Sequence, residues 1–272
     1  MTRIEWQLDG FNLPRDLIAP AFNSIAQLLQ AKWELHFSDS IPRIAIFVSK
    51  QEHCLLGASQ MCKNIICHCF TSFAMTITIL IVQNWDAPCL LDLLWRYRAK
   101  EFVAEIPLII SNHPNLKEIT QQFNIDFHHI PITKTTKIEQ EKKQLELVDK
   151  YNIDLIILAK YMQTLRNDSV SQIPQIINIH HSFLPAFIGA NPYHKAYERG
   201  VKIIGATPHY VTANLDAGPI IEQDVVKISH RDNVVDLIRK GKDLERIVLA
   251  RAVRLHLKNR VLVYGNRTVV FE

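Results

Sequence analysis

The sequence predicts an α/β fold built on a mostly parallel sheet, and three observations support that class. Short apolar runs, typical of strands buried on both faces, recur at 44–48, 107–110, 155–158 and 176–179. Helical patterns lie between them, the clearest at 138–151, where Leu145 and Val148 recur among charged residues. Strands that alternate with helices indicate βαβ units, so helices are expected to cover both faces of the parallel sheet.

Residues 1–40 are expected to form a separate small unit. An apolar, strand-like start leads into a turn at Asp9-Gly10 and then into a helix. The apolar face of that helix is formed by residues spaced three and four apart: Leu17, Ile18, Phe22, Ile25, Ala26 and Leu29. Residues 33–37 then alternate between apolar and polar, which predicts a half-buried strand. The unit is therefore a β-α-β fragment, too small to fold alone, and the main domain is placed at 41–272.

The last third of the chain predicts a mixed edge to the sheet. After Gly205, strand-like segments follow one another without a helix between them, at 209–211 and 220–221. A long helix is then expected over about 232–259. The chain closes on two short apolar strands, 261–263 and 269–271, which predict a hairpin across Gly265-Asn266.

One stretch interrupts this order. The triplet Cys54-Leu55-Leu56 recurs as Cys89-Leu90-Leu91, and removal of residues 57–91 would join Leu56 to Asp92 as an ordinary strand, loop and helix. We interpret residues 57–91 as an insertion in the first βα loop, with no evolved role. Because that loop lies beside the expected site, the segment could obstruct the cleft or promote aggregation.

Two functional interpretations of the insertion are weaker. Residues 64–85 contain no Asp, Glu, Lys or Arg, and a bilayer span takes roughly 20 apolar residues. The polar residues in this stretch, such as Asn64 and Gln83, and the sparse flanking charges argue against a membrane span. The cysteines at 62, 67 and 69 around His68 match no familiar tetrahedral metal pattern.

Composition excludes several classes of protein. Of the 272 residues, 48% are hydrophobic and 21% are charged, so a packed core is expected rather than disorder. The net charge is +4 without a concentrated basic stripe, which fits an anionic small molecule better than a nucleic acid. All five cysteines precede residue 90, unlike a secreted disulfide framework, and no apolar signal region follows Met1. We therefore expect a cytoplasmic protein with no nucleic-acid or membrane partner.

Three polar residues are candidates for chemistry. Asn178 and His180 lie two residues apart at the end of a buried strand, so their side chains share one side of the sheet. In open α/β sheets ligands bind at the carboxyl ends of strands. Asp216 follows in a turn-forming Asp-Ala-Gly-Pro context. A lone histidine at a strand end is more often structural, and an Asp before Gly is more often a turn former, so spacing alone leaves both interpretations open.

A longer match favours the functional interpretation of these residues over the structural one. The segments at 178–187, 193–207, 209–211 and 215–216 resemble the signature of the folate-dependent formyltransferase-fold family. The resemblance covers 92–272 almost without a gap, together with about 1–56. It implies a Rossmann-like catalytic domain at 41–272, interrupted at about 57–91. It also implies that residues 1–40 are a truncated ACT-like α+β domain, for which amino-acid regulation and homo-oligomer formation would be weakened.

Within that family the chain is similar to the hydrolases. His181 stands where the transferases carry proline, and the segment 50–54 replaces the glycine-rich phosphate loop of a ribonucleotide transferase. The segments 158–162 and 264–268 are also similar to the hydrolytic members. The resemblance implies hydrolysis of 10-formyltetrahydrofolate to formate and tetrahydrofolate, which would supply purine synthesis and balance one-carbon pools. The alternatives are formyl transfer to an amine acceptor and a catalytically impaired copy of the hydrolase.

The resemblance also implies roles for individual residues. Asn178 would donate its amide N–H to the oxyanion, and His180 would stabilise that oxyanion or carry a proton. Asp216 would orient the imidazole and accept a proton from water, with a pKa raised by partial burial. Substrate contacts are expected at Leu158, Met162, Gln163, Leu165, His181, Ser182 and Gly189. No metal and no cofactor beyond the folate substrate are expected. Ser182 as a nucleophile is the weaker alternative, because it lacks the Gly-x-Ser-x-Gly elbow.

Overall fold

A computed structural model describes residues 3–8, 11–48, 87–133, 135–161, 165–166, 170, 173, 175–186 and 191–271. In this part of the chain seven strands form one sheet, in the spatial order β3-β2-β1-β4-β5-β6-β7. The strands are β1 Arg43–Val48, β2 Glu105–Ser111, β3 Asp126–His129, β4 Leu155–Ala159, β5 Ile176–His180, β6 Ile203–Tyr210 and β7 Asp224–Lys227. The first five run parallel, whereas β6 and β7 pair antiparallel at one edge. The predicted α/β class, the parallel sheet and its mixed edge are confirmed.

Helices cover both faces of this sheet. The helices in the described residues are α1 Arg15–Leu28, α2 Pro88–Arg98, α3 Lys117–Gln121, α4 Lys137–Lys150, α5 Pro192–Arg199 and α6 Val234–Leu257, with a 3₁₀ turn at Pro114–Leu116. One apolar core packs α2 and α6 against one face, and a second packs α4 against the other. The strand order reverses between β1 and β4, and the crevice at the carboxyl ends of such strands is where ligands bind in open α/β sheets.

The C-terminal elements follow the sequence closely. Helix α6 begins with a reciprocal cap: the Asn233 side chain accepts from the backbone N–H of Asp236 at 3.0 Å, and the Asp236 carboxylate accepts from that of Asn233 at 3.1 Å. The predicted hairpin is confirmed as β8 Val261–Tyr264 and β9 Arg267–Val270. Gly265 in its turn has φ of +59°, a conformation that glycine adopts at little cost.

Two features of the predicted strand pattern are wrong. The segment 220–221 forms only an isolated bridge to His209, and β7 begins at Asp224 instead. Pro208 and Pro219 flank this bridge and have no N–H to donate, so the ladder cannot continue through them. The edge strand β3 was not predicted at all.

The N-terminal unit is only partly as expected. The helix is confirmed as α1, but residues 3–8 and 31–37 carry no strand. A strand needs a neighbour to bond with, and within the described ranges none pairs with these segments. Trp33 instead packs edge-on against Phe22 of α1, with ring centroids 4.9 Å apart. The assignment of residues 1–40 to an ACT-like domain is not confirmed and stays a prediction.

The second copy of the repeated triplet belongs to the folded core. Cys89 and Leu90 lie in the first turn of α2 and are buried against the sheet. Since the two triplets are identical, removal of residues 54–88 gives the same joined sequence as removal of 57–91 and leaves this turn in place. The insertion itself stays a prediction, because residues 49–86 lie outside the described part.

The membrane and metal alternatives for that insertion also fall outside the described part. Among the residues that are described, no helix is long and apolar enough to cross a membrane. In the same ranges no group of three or more His, Cys, Asp or Glu side chains is placed to hold a metal ion.

Candidate active site

The antiparallel pairing of β5 with β6 builds the base of the site. Asn178 lies opposite His209, and His180 lies opposite Thr207. Since alternate residues of a strand project to the same face, Asn178 and His180 share one side of the sheet, as the sequence predicts. Both lie toward the carboxyl end of β5, which is separated by β4 from the point where the strand order reverses.

Asp216 reaches the same place from the loop between β6 and β7. Its carboxylate Oδ1 lies 3.4 Å from Nδ1 of His180, and the two side chains are only 11% and 6% exposed. A Cβ at Gly218 would lie 1.8 Å from the carbonyl oxygen of Tyr210, so glycine lets the loop pass close against β6. Asp216 itself has φ of +51°, a left-handed conformation that Asp tolerates better than most residues. The structure thus brings the three predicted catalytic residues together.

The electrostatic state of Asp216 differs from the prediction. The hydrogen bond with His180 is the main reason that the pKa of Asp216 lies below its ordinary value. Partial burial would raise that pKa, but His180 and His209 oppose it by attraction. The prediction of a raised pKa is therefore wrong. Asp216 is a carboxylate at neutral pH, suited to holding a proton donor rather than to taking a proton from water.

The second ring nitrogen of His180 makes no hydrogen bond to the described residues. With Nδ1 turned to Asp216, Nε2 is buried and has no hydrogen-bond partner among the described residues. A neutral imidazole that donates from Nδ1 keeps a lone pair on Nε2. His180 can therefore accept a proton at Nε2 and release it again.

His209 is a site residue to which sequence reasoning gave no role. Its Nδ1 lies 2.9 Å from the backbone carbonyl of Tyr210 and must donate to it. Nε2 is then an acceptor, and it lies 3.3 Å from the side-chain nitrogen of Asn178. Burial lowers the pKa of His209, which agrees with the neutral ring. His209 thus fixes the orientation of the Asn178 amide, because the NH₂ group must face Nε2 of His209. Only the register of β5 against β6 reveals this pairing.

Comparison with known proteins gives the family. A family model described as formyl transferase matches residues 75–253. A formyltetrahydrofolate deformylase of Synechocystis is 58% identical over 271 residues, which span 100% of this chain and 83% of that protein. Its counterpart in Bacillus subtilis is 45% identical over 271 residues, with 99% and 79% covered. The crystal structure of a formyltetrahydrofolate deformylase from Pseudomonas syringae superposes with a TM-score of 0.81 at 38% identity, covering 97% of this chain and 77% of that one.

The chain belongs to the formyltetrahydrofolate deformylases.

In this deformylase the predicted substrate residues after β5 are buried beside the predicted catalytic ones. His181 stacks on His180, with ring centroids 5.1 Å apart and planes 14° apart. Burial lowers the pKa of His181 to about 4, so its ring is neutral at physiological pH. Ser182 donates its hydroxyl to the backbone carbonyl of Ala186 at 2.7 Å. That proton is engaged in a turn, which weakens the nucleophile alternative.

Two of the remaining predicted contacts, Leu158 and Leu165, lie on the β4 side. Leu158 is a buried residue of β4, and Leu165 packs against the same apolar core. Leu165 also lines a small hollow between α4 and the sheet, beside Phe47 and Gln144. Met162, Gln163 and Gly189 lie outside the described residues, so their predicted contacts with folate stay predictions.

Proposed function

We propose that this chain hydrolyses 10-formyltetrahydrofolate to formate and tetrahydrofolate. The observation that carries the proposal is the convergence of Asn178, His180 and Asp216 at the carboxyl end of β5, in a chain that belongs to the formyltetrahydrofolate deformylases. Hydrolysis requires a base for water, a donor to the oxyanion and an acid for the leaving nitrogen. The site offers all three.

The first step is the addition of water to the formyl carbon. Nε2 of His180 accepts a proton from the attacking water as the oxygen bonds to carbon. The Asp216 carboxylate, 3.4 Å from Nδ1, stabilises the imidazolium that results. This assigns to His180 the role of base that the sequence suggested for Asp216.

The oxyanion that forms faces the amide of Asn178. One N–H of that amide is directed to His209 and the other is left for the substrate oxygen. One well-placed donor of this kind contributes roughly 3–4 kcal/mol to transition-state stabilisation. Since His209 holds the amide before substrate arrives, little reorganisation is needed during the reaction.

The second step releases the products. The imidazolium of His180 returns its proton to N10 of the folate, and the C–N bond breaks as the oxyanion collapses to formic acid. Formic acid loses its proton to solvent and leaves as formate. Water and the formyl amide thus give formate, a proton and tetrahydrofolate. We propose that this formate supplies purine synthesis and that the reaction balances one-carbon pools.

The test is formate release from 10-formyltetrahydrofolate by the purified full chain, with and without glycinamide ribonucleotide. Release that is independent of this amine supports the proposal, whereas formylation of the amine in place of formate release contradicts it. A version without residues 57–91 is assayed in parallel. Activity only after that deletion supports the chemistry and identifies the segment as an obstruction, and inactivity of both versions contradicts the proposal.

A further inference from the structure

A buried ion pair lies behind the site. Lys160 directly follows β4 at its carboxyl end, and its Nζ lies 2.7 Å from Oε2 of Glu245 in α6. The two side chains are only 5% and 0% exposed. Removing two charges from water is costly, and apolar residues of similar volume often stabilise a protein equally well. Stability is therefore a weak explanation for this pair.

Tyr193 joins the pair from a third element. Its hydroxyl, on α5, donates to Oε1 of Glu245 at 2.5 Å. Gly241, one turn before Glu245 in α6, makes room for it, because a Cβ there would lie 2.1 Å from the Tyr193 hydroxyl oxygen. Both carboxylate oxygens of Glu245 are thus engaged, one by Lys160 and one by Tyr193.

The network reaches the catalytic histidine through His181. The ring of Tyr193 lies 6.2 Å from that of His181, which in turn stacks on His180 at 5.1 Å. The charged and titratable groups that face His181 come from every surrounding element: His180 of β5, Asp216 of the β6–β7 loop, Tyr193 of α5, Glu245 of α6 and Lys160 at the end of β4.

Two stacked imidazoles cannot both carry a positive charge without strong repulsion. Asp216 lies against Nδ1 of His180 and so attracts the charge to that ring. An unpaired Glu245 would instead attract a proton to His181. Lys160 and Tyr193 offset the charge of Glu245, and the low pKa of His181, caused first by burial, is consistent with this.

We propose that Lys160, Tyr193 and Glu245 are positioning residues that keep the imidazole of His181 uncharged and stacked on His180, so that His180 alone takes up the proton during hydrolysis. The proposal rests on the proposed function, since it assigns a purpose to the order in which the two rings are protonated. It concerns residues that do not touch the substrate and act through His181.

The test follows the protonation of His181 directly. Histidine-labelled full-length protein is titrated by NMR, and the His181 signal is assigned with a His181→Asn variant. Lys160→Met should raise the protonation midpoint of His181 by roughly one pH unit, a tenfold change in its protonation equilibrium. Lys160→Arg should restore the original midpoint.

Tyr193→Phe is the milder variant, because it keeps the ring and removes only the hydroxyl that neutralises Glu245. It should shift the His181 midpoint in the same direction by a smaller amount, and the acid limb of kcat/KM should shift with it. The matched control is Tyr197→Phe, one turn further along α5 at a half-exposed position, which should shift neither.

Each result decides the matter. A His181 midpoint that stays in place in Tyr193→Phe overturns the proposal, even where Lys160→Met fails to fold. A shifted midpoint in a protein that releases no formate supports the network and contradicts the proposed function. An active enzyme with an unmoved midpoint contradicts the network alone.

Discussion

Two regions of the molecule are packed in opposite ways. One is the sheet, which carries the site, and the other is the N-terminal segment, residues 3–42. The side chains of β1 and β4 are almost entirely buried, and so are the site residues His180, His181 and His209. In the N-terminal segment most large apolar side chains are exposed instead: Ile4, Trp6, Leu8, Phe11, Leu13, Leu17, Phe22, Ile25, Leu28, Leu29 and Ile41. An apolar pattern therefore identifies the buried face of an element but not what covers that face. Stability and chemistry are therefore expected to depend on the sheet.

The largest effect is expected at the site. Asp216→Asn should lower kcat/KM for 10-formyltetrahydrofolate by about 10³-fold or more, because an amide cannot hold the Nδ1–H tautomer of His180 or stabilise its charge. Asparagine tolerates the left-handed backbone at this position, so the loop should keep its shape. Formate release measures the loss, and tetrahydrofolate affinity should change little.

The matched control for that variant is Asp243→Asn, which removes a carboxylate that is 63% exposed on α6. It should leave turnover unchanged. Full activity in Asp216→Asn would contradict the assigned role of the carboxylate.

A core substitution comes next in size. Leu249 of α6 is completely buried against the sheet, so Leu249→Ala should lower the free energy of unfolding by about 2–5 kcal/mol through lost apolar contact and the cavity left behind. Urea unfolding measures the change. A loss below about 1 kcal/mol would mean that the core can collapse around the gap.

Acid should destabilise the protein through a half-buried histidine in the last turn of α6. Burial lowers the pKa of His256 to about 4, and its Nδ1 lies 2.9 Å from the Tyr210 hydroxyl oxygen. The unfolded chain binds this proton at about pH 6.5. Stability is thus fully present above that pH and falls between about pH 6.5 and 4, by at most about 1.4 kcal/mol per pH unit from this group.

Urea unfolding at several pH values checks this slope. His256→Gln should make it shallower, and His194→Gln, at an exposed position of α5, is the matched control that should not. An unchanged slope in His256→Gln would assign the acid sensitivity to other groups.

The smallest effect is expected in the N-terminal segment. Leu28 of α1 is 84% exposed, so Leu28→Ala should change the free energy of unfolding by no more than about 0.5 kcal/mol. The contrast with Leu249→Ala, the same change in the core, is the direct measure of the difference between the two regions. A large loss at Leu28 would mean that another surface covers α1 in solution.

Sequence reasoning succeeded where burial imposes an unmistakable pattern. Strands buried on both faces must be apolar throughout, and this identified β1, β2, β4 and β5. It missed β3, whose Asp126-Phe127-His128-His129 is mostly polar and becomes a strand only by pairing with β2. It also predicted a strand over 33–37, where the alternation is present but a pairing partner is not found in the described ranges.

The site residues show the same limit of prediction from sequence. The shared side of Asn178 and His180 follows from the two-residue period of a strand, which is local. The pairing of His209 with Asn178 depends on the register between two strands, and the lowered pKa of Asp216 depends on a contact across a loop. Neither can be obtained from local pattern, because each is set by which distant residue arrives as a neighbour.

The pairing of β5 with β6 has a mechanical consequence. Asn178 and His209 occupy one rung of a ladder, so when the sheet bends the amide and the imidazole are carried together and their spacing is kept. Asp216 lies in the loop between β6 and β7 and occupies no rung of this ladder. Bending of the sheet should therefore change the spacing of Asn178 and His209 less than the separation of the Asp216 carboxylate from the His180 imidazole.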